Sequence, residues 1–195
     1  MFQIRIHGRG GQGVVSAAEM LSMAAFEEGK HAQAVPSFGS ERMGAPVVSF
    51  CRIQSGPIRS REPVVAPDCV VVQDPTLLHH VDVFQGLSKK GYVLINSTRD
   101  FEGLGLSELV LELPPGHCHV IPATELARQH AGRPVPNVPL IAAFAAATGI
   151  VHIDSVIAAI REKFRGKIGE GNVAAASAAH AIVVRRKESV HVEAN

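Results

Sequence analysis

A chain of 195 residues with 46% hydrophobic side chains can bury one sizeable core, and its formal charge of +1 gives no electrostatic reason to expect nucleic acid or an acidic membrane surface as a partner. Its three cysteines, Cys51, Cys69 and Cys118, are far apart and form no CxxC pair, which speaks against a disulfide framework, a cysteine-ligated metal or an iron–sulfur cluster. With no Trp and a single Tyr92, an aromatic platform for bases is not expected either. No apolar run reaches the ~18 residues needed to span a bilayer and no leader is evident at the start, so the expected location is cytoplasmic.

In chain order, Phe2, Ile4 and Ile6 alternate with Gln3 and Arg5, which predicts a strand with one buried face. The run Gly8-x-Gly10-x-x-Gly13 follows at once, and Val14 to Glu28 reads as a helix stopped by Gly29. The stretch "VPSFGSERMGAP" (Val35–Pro46) reads as a structured loop. Strands are predicted at Val47–Ile53, Asp68–Asp74, Tyr92–Asn96 and His117–Ala123, with a short helix opening after Asp74-Pro75. Leu140–Thr148, Asp154–Phe164 and Asn172–Val184 read as helices, two of them alanine-rich. The whole predicts an α/β fold: a Rossmann-like open, mostly parallel sheet with flanking helices and a helical C-terminal third. Residues 1–186 form one domain in this reading, and 187–195 a polar, frayed tail.

Glycines allow a tight turn and a close backbone approach, and a helix N-terminus offers free N–H groups to an anion. The turn is therefore a candidate anion site, with Gly10, Gly11, Gln12 and Gly13 supplying backbone contacts and Arg9 or Arg42 supplying charge. A dinucleotide fingerprint also needs an Asp or Glu ~20 residues on, at the end of the second strand. That region reads "KHAQAV", without a carboxylate, which argues against NAD or FAD. Arg9 and Gln12 are also large enough to serve a subunit contact instead. In the loop, Glu41 and Arg42 are read either as a pair holding it against a ligand or subunit, or as a solvated surface ion pair.

"GRGGQG" followed by "SFGSERMGAPVVSFCRI" (Ser37–Ile53) resembles the gamma subunit, or gamma domain, of the pyruvate:ferredoxin/flavodoxin oxidoreductase family. The resemblance continues through Pro67–Leu78, "GYVLINS" (Gly91–Ser97), Ala123–Gly149 and "GEGNVAAA" (Gly169–Ala176), spanning about the first 185 residues in order. It implies a multi-subunit enzyme that oxidatively decarboxylates a 2-oxoacid such as pyruvate with coenzyme A, giving acyl-CoA, CO2 and two electrons for ferredoxin or another acceptor. It also implies thiamine diphosphate, with Mg2+, at alpha and beta subunits, [4Fe-4S] clusters on beta or ferredoxin-like subunits, and a gamma piece that braces them and borders the coenzyme A entrance. This chain has neither a thiamine-binding GDG signature nor a ferredoxin-type cysteine run, so partners are expected to bring the cofactors and the isolated chain to be inactive. No residue is assigned a catalytic role. The rival reading is a free-standing NAD(P)-binding oxidoreductase domain.

Other chemistry is weaker. His117 with His119, and His79 with His80, lack a third ligand, so no metal site is assigned. Ser16, Ser37 and Ser40 lie in no GxSxG elbow. Asp74 is expected to cap the following helix, with a place at the sheet's carboxyl edge as the alternative, and Asn96-Ser97-Thr98 is a second edge candidate. Asn137 and Asn172 are read as helix-start caps.

Overall fold

The computed structural model describes residues 1–36 and 43–193. In chain order they form β1 (Phe2–Arg9), α1 (Val14–Glu27), β2 (His31–Pro36), β3 (Pro46–Gln54), β4 (Cys69–Val72), a 3-10 helix (Pro75–His79), β5 (Tyr92–Asn96), α2 (Ser107–Glu112), β6 (Cys118–Ile121), α3 (Ala123–Ala131), α4 (Asn137–Thr148), α5 (Ile153–Lys163) and α6 (Gly166–Glu193). The strands make one open sheet in the order β2-β3-β1-β4-β5-β6. β1, β4, β5 and β6 run parallel, while β3 pairs antiparallel with both β1 and β2. The sheet is thus mixed, with its parallel part at the β1–β6 side. Between β4 and β5 the chain makes only the short 3-10 helix and turns, so that crossover lacks a full α-helix.

Alternation along the strands sorts side chains onto two covered faces. Ile4, Ile6, Cys51, Ile53, Val71 and Leu94 pack under α1 and α4, in a core that extends to α5 and α6. Val70, Val72, Val93 and Ile95 pack on the other side with Leu77, Val83 and Leu113. β4 is buried at all four positions, as its unbroken apolar run requires. β1 departs from the expectation of one buried face, because Arg5 and His7 on its second face are also buried.

Two arginines explain how a polar face can be closed. The Arg5 guanidinium donates to His7 Nε2 at 3.1 Å, Val83 O at 2.9 Å, Gln85 O at 2.6 Å and Val64 O at 3.3 Å. Arg52 donates to Gln3 Oε1 at 3.3 Å, Gln33 Oε1 at 3.2 Å and the carbonyl of Glu62. Arg5 therefore ties both the β3–β4 and the β4–β5 connections down over the sheet, and Arg52 ties the β3–β4 connection. Side-chain amides and backbone carbonyls satisfy the donors, which is what burying such a group demands.

α4 is buried over almost its whole circumference, so its sequence carries no polar stripe. Small alanines let α6 lie close against it and against α3. α6 runs on to Glu193, so residues 187–193 of the segment read as a frayed tail are helical. Arg186 donates to Val120 O at 2.6 Å, and Lys187 donates to Ala146 O at 3.1 Å and Ala147 O at 3.2 Å, capping the end of α4. Asn172 starts no helix; it lies inside α6 and donates to Ile168 O at 3.0 Å.

Burial pushes the His7 imidazole down to about 4, with the Arg5 charge adding to it. Burial likewise takes His119 down to about 4, against a bond to the Gly116 carbonyl and helped by Arg186 and Lys187. Both rings are neutral in the fold, whereas in the unfolded chain they take up a proton near pH 6.5. Stability is therefore full above about pH 6.5 and falls between there and about pH 4, by at most on the order of 3 kcal/mol per histidine. Thermal unfolding of the full chain is expected to show a falling midpoint across that window, with a shallower slope for His7→Asn. A midpoint that is flat from pH 6.5 to 4.5 would contradict the assignment.

Candidate functional site at the glycine turn

The turn forms where β1 runs out beneath α1. Gly13 is the N-cap of α1 at φ 71° and ψ 34°, and its carbonyl accepts the first helical bond from Ala17 N at 2.9 Å. A side chain is disfavoured there twice over. The backbone is left-handed, and a Cβ would collide with Asn137 at the head of α4. Asn137 is not the cap it was expected to be, since Pro136 precedes it as N-cap. Its side chain instead donates to Gly13 O at 3.3 Å and accepts from Val138 N at 2.8 Å, pinning the start of α1 to the start of α4.

Arg9, Gly10, Gly11, Gln12 and Gly13 come together here. Arg42 lies outside the described residues, as do Ser37, Ser40 and Glu41. The segment just after them returns to the turn: Gly10 bridges Met43, Gly10 N donates to Ala45 O at 2.9 Å, and Gly44 N donates to Gly10 O at 3.1 Å.

The large polar side chains of the turn are bonded within the protein. Gln12 Oε1 accepts from Arg9 N at 2.8 Å, and Gln12 Nε2 donates to Asp74 Oδ2 at 2.8 Å. Arg9 Nε lies 3.2 Å from Asp74 Oδ2, Nη2 donates to Thr76 Oγ1 at 2.8 Å, and Nη1 donates to Gly44 O at 3.1 Å. Asp74 caps the 3-10 helix by accepting from Thr76 N at 3.0 Å and also takes the Thr76 hydroxyl at 2.6 Å. It fills the expected capping role and sits at the sheet's carboxyl edge as well. Burial works to raise its carboxyl, but bonds from Thr76 and Gln12 and the Arg9 charge outweigh it and hold Asp74 below the usual carboxylate range.

Part of the backbone is bonded as well, since Gln12 N donates to Arg9 O at 3.1 Å, and two depressions flank the turn. A depression of about 440 Å³ is bounded by Arg9, Gly10, Gly11, Gly13, Val14–Ser16, Glu19 and Val47, beside the first turn of α1. A second, of about 320 Å³, lies outside the ends of β4 and β5 between Gln12, Gln73, Asp74, Asn96, Ser97 and Thr124. Asn96, the other edge candidate, is saturated, with Nδ2 donating to Gln73 O and Thr124 Oγ1 at 2.8 Å each and Oδ1 accepting from Thr124 N at 3.1 Å. Sequence reasoning did not single out Gln73 or Thr124. The one signal for Gln73 is a polar residue closing an otherwise apolar strand.

The sheet order bears on the dinucleotide reading. β2 runs in the same direction as β1, since both are antiparallel to β3, but β3 separates the two. The end of β2 therefore stands two strand spacings, roughly 10 Å, from β1. Beyond lacking a carboxylate, it is too far away to bind a ribose held at the turn in the usual way. Of the histidine pairs to which no metal was assigned, His117 Nδ1 and His119 Nε2 each bond a backbone carbonyl, of Gly91 at 3.2 Å and Gly116 at 2.9 Å. Among the described residues no group of three or more His, Cys, Asp or Glu side chains is placed to hold a metal.

Residues 3–182 match the family described as pyruvate ferredoxin/flavodoxin oxidoreductase. The chain belongs to this family. It is 49% identical over 180 residues to the pyruvate synthase subunit PorC of Methanothermobacter thermautotrophicus, covering 92% of this chain and 94% of that one. It is 47% identical over 179 residues to the common gamma subunit of the pyruvate/ketoisovalerate oxidoreductases of Thermococcus kodakarensis, covering 92% and 95%. Among solved structures, the pyruvate oxidoreductase subunit PORC of Thermotoga maritima superposes with a TM-score of 0.77 at 37% identity, over 92% of this chain and 95% of that one. The 2-oxoglutarate:ferredoxin oxidoreductase of Magnetococcus marinus shares the fold at 16% identity and a TM-score of 0.74, over 94% of this chain and 31% of that one. Similarity to members of the pyruvate ferredoxin/flavodoxin oxidoreductase family thus extends along nearly the whole chain and nearly the whole of the separate subunits.

Gly13 and Gly29 test the turn against a control. Both have left-handed backbones, at φ 71° and 72°, but a Cβ at Gly29 meets nothing within 4 Å. Gly29→Ala is expected to cost about 1 kcal/mol from the backbone alone, and Gly13→Ala clearly more, about 2 kcal/mol or above, because Asn137 must also move. Urea unfolding of the two variants measures the difference; equal costs would mean that the contact with α4 carries no weight.

Proposed function

We propose that this chain is the gamma subunit of a coenzyme A-acylating 2-oxoacid oxidoreductase complex, where it braces the catalytic subunits and borders the coenzyme A site. The observation that carries this reading is full-length similarity, at 47–49% identity, to separate gamma-type subunits rather than to a fragment of a larger chain. The reaction is the oxidative decarboxylation of a 2-oxoacid such as pyruvate to acyl-CoA and CO2, with two electrons passed to ferredoxin or another acceptor. Thiamine diphosphate with Mg2+ belongs, in this reading, to alpha and beta subunits. The [4Fe-4S] clusters belong to beta and ferredoxin-like subunits, and the complex works in the cytoplasm. This chain's part is binding and positioning.

An anionic group of coenzyme A sits, in this reading, against the turn's backbone: Gly11 and Gly13 bring main-chain N–H groups, and α1 its positive end, to the 440 Å³ depression, while the N–H groups of Gly10 and Gln12 are already donated to Ala45 O and Arg9 O. Arg9 contributes field rather than a free fork, since its donors already hold Thr76 and Gly44. Arg42 is the candidate for a direct charge contact. A free-standing NAD(P)-binding domain is disfavoured by the β3 strand between β1 and β2 and by the missing acid.

Anaerobic affinity purification of the tagged chain from its own cells is expected to bring down thiamine-binding and cysteine-rich subunits with 2-oxoacid-dependent acceptor reduction, while the chain alone shows none. Recovery of the chain by itself under mild conditions would overturn the reading. In the assembled complex, Arg42→Ala is expected to raise the KM for coenzyme A about tenfold or more with little change in that for the oxoacid. An unchanged KM would remove Arg42 from the site.

A further inference from the structure

A further groove of about 300 Å³ borders the turn on the side of α6. It is lined chiefly by apolar groups, with Ala131 and Val135 from the α3–α4 connection, Phe164 and Ile168 around the start of α6, and Gly11 and Gly13 from the turn. Large apolar side chains stand exposed at its rim. Ile168 is 52% exposed, and Met43, 87% exposed, lies against Gly11, where a Cβ would come 2.5 Å from its Sδ. Apolar side chains left in water around a concave apolar surface mark a place that another molecule covers. A volume of about 300 Å³ is at the lower limit of small-molecule sites, roughly 300–1,000 Å³, and is the scale of an anchoring side chain.

The charge around this groove has one sign. The stretches of chain around its lining residues, 11–19, 131–137 and 164–172, contain two acidic residues, and both are engaged, Glu19 by Lys163 and Glu170 by Arg161. Arg133 lines the groove, while Arg165 and Lys167 are the chain neighbours of Phe164 and Ile168. These three cations are exposed and enter no ion pair among the described residues. Backbone dipoles add to them. Gly13 heads α1, Asn137 opens α4 and Ile168 lies in the first turn of α6, and none of these helices has an acidic residue in its first turn. By contrast α2, α3 and α5, whose starts do not line the groove, carry Glu108, Glu125 and Asp154 there. The positive ends of three helices are thus left uncompensated around an apolar floor.

We propose that this groove docks an acidic segment of a thiamine-binding partner subunit. One apolar side chain of that segment seats on Val135, Phe164 and Ile168, and Asp or Glu beside it meets Arg133, Arg165 and Lys167. The proposal rests on the gamma-subunit reading for the existence of the partner. An apolar centre rimmed by Met and Arg is the composition of a protein–protein contact. Carboxylates from a neighbour would answer both the side-chain cations and the helix ends, which this chain leaves unanswered by itself.

The test uses the complex assembled in its own cells and purified anaerobically, with Ile168 replaced by the photo-cross-linking residue p-benzoylphenylalanine. Irradiation is expected to join it to a thiamine-binding subunit, at a residue with Asp or Glu adjacent or next but one in sequence. Reversing the rim in the same background, with Arg133→Glu and Lys167→Glu, is expected to cut the cross-link yield at least about tenfold. A cross-linked peptide without acidic neighbours, or a yield that the reversal leaves unchanged, overturns the proposal. So does a cross-link confined to this chain, or one abolished by saturating coenzyme A, which would give the groove to a small ligand. Should the reversed variant not fold, added salt on the unreversed complex takes its place; the yield is expected to fall, and indifference to salt overturns the proposal. Thiamine-binding subunits that co-purify without cross-linking remove the docking groove and leave the gamma-subunit reading standing. Absence of any co-purifying subunit removes both.

Discussion

One carboxylate organises the end of this molecule where function is expected. Asp74 receives Gln12 from the turn after β1, Thr76 from the helix after β4, and the Arg9 guanidinium that also reaches Gly44. Three separate chain segments are thereby fixed to the carboxyl edge of the sheet. The glycine turn is consequently not a flexible cradle awaiting a phosphate. It is a braced junction whose large polar side chains and much of whose backbone are bonded within the protein.

That brace lies within a fold altered from the dinucleotide-binding pattern with which it shares a strand, a glycine turn and a helix. Insertion of β3 between β1 and β2 carries the second strand away from the turn and removes the place from which an acidic side chain would hold a ribose. The long α6 covers α3 and α4 and returns Arg186 and Lys187 to β6 and the end of α4. The polar face of β1 and β3 is sealed by Arg5 and Arg52 bonded to carbonyls and amides. A subunit built in this way offers rigid edges to its neighbours, which suits membership of a family whose relatives are subunits of multi-subunit oxidoreductases.

How much of this could be read from residues depends on the range of the physics involved. β1, the glycine turn and α1 were readable because periodicity and turn chemistry are local, and Asp74 was readable as a cap because Pro75 follows it. β2 was not, since "HAQAVP" has neither strict alternation nor β-branched density, and it becomes a strand by pairing with β3. Asn137 and Asn172 looked alike as caps, and only tertiary packing sends one to Gly13 and the other to its own helix. The residues of the turn could be named in advance, but the commitment of Arg9 and Gln12 to Asp74 depends on contacts more than 60 residues apart in sequence. The unpartnered state of the buried Gln73 amide is likewise a property of its surroundings and cannot be seen in "VVVQD".

The most direct test of the braced-junction account is a double-mutant cycle on the full chain, with Arg9→Ala, Asp74→Ala and the pair compared by urea unfolding, and coenzyme A binding measured on each. The account predicts that each single change costs about 1 kcal/mol or more, with a coupling of about 0.5–3 kcal/mol between them, and that Arg9→Ala weakens the coenzyme only modestly. Additive costs within about 0.5 kcal/mol, together with coenzyme binding lost in Arg9→Ala alone, would contradict it and make Arg9 a ligand residue rather than a brace.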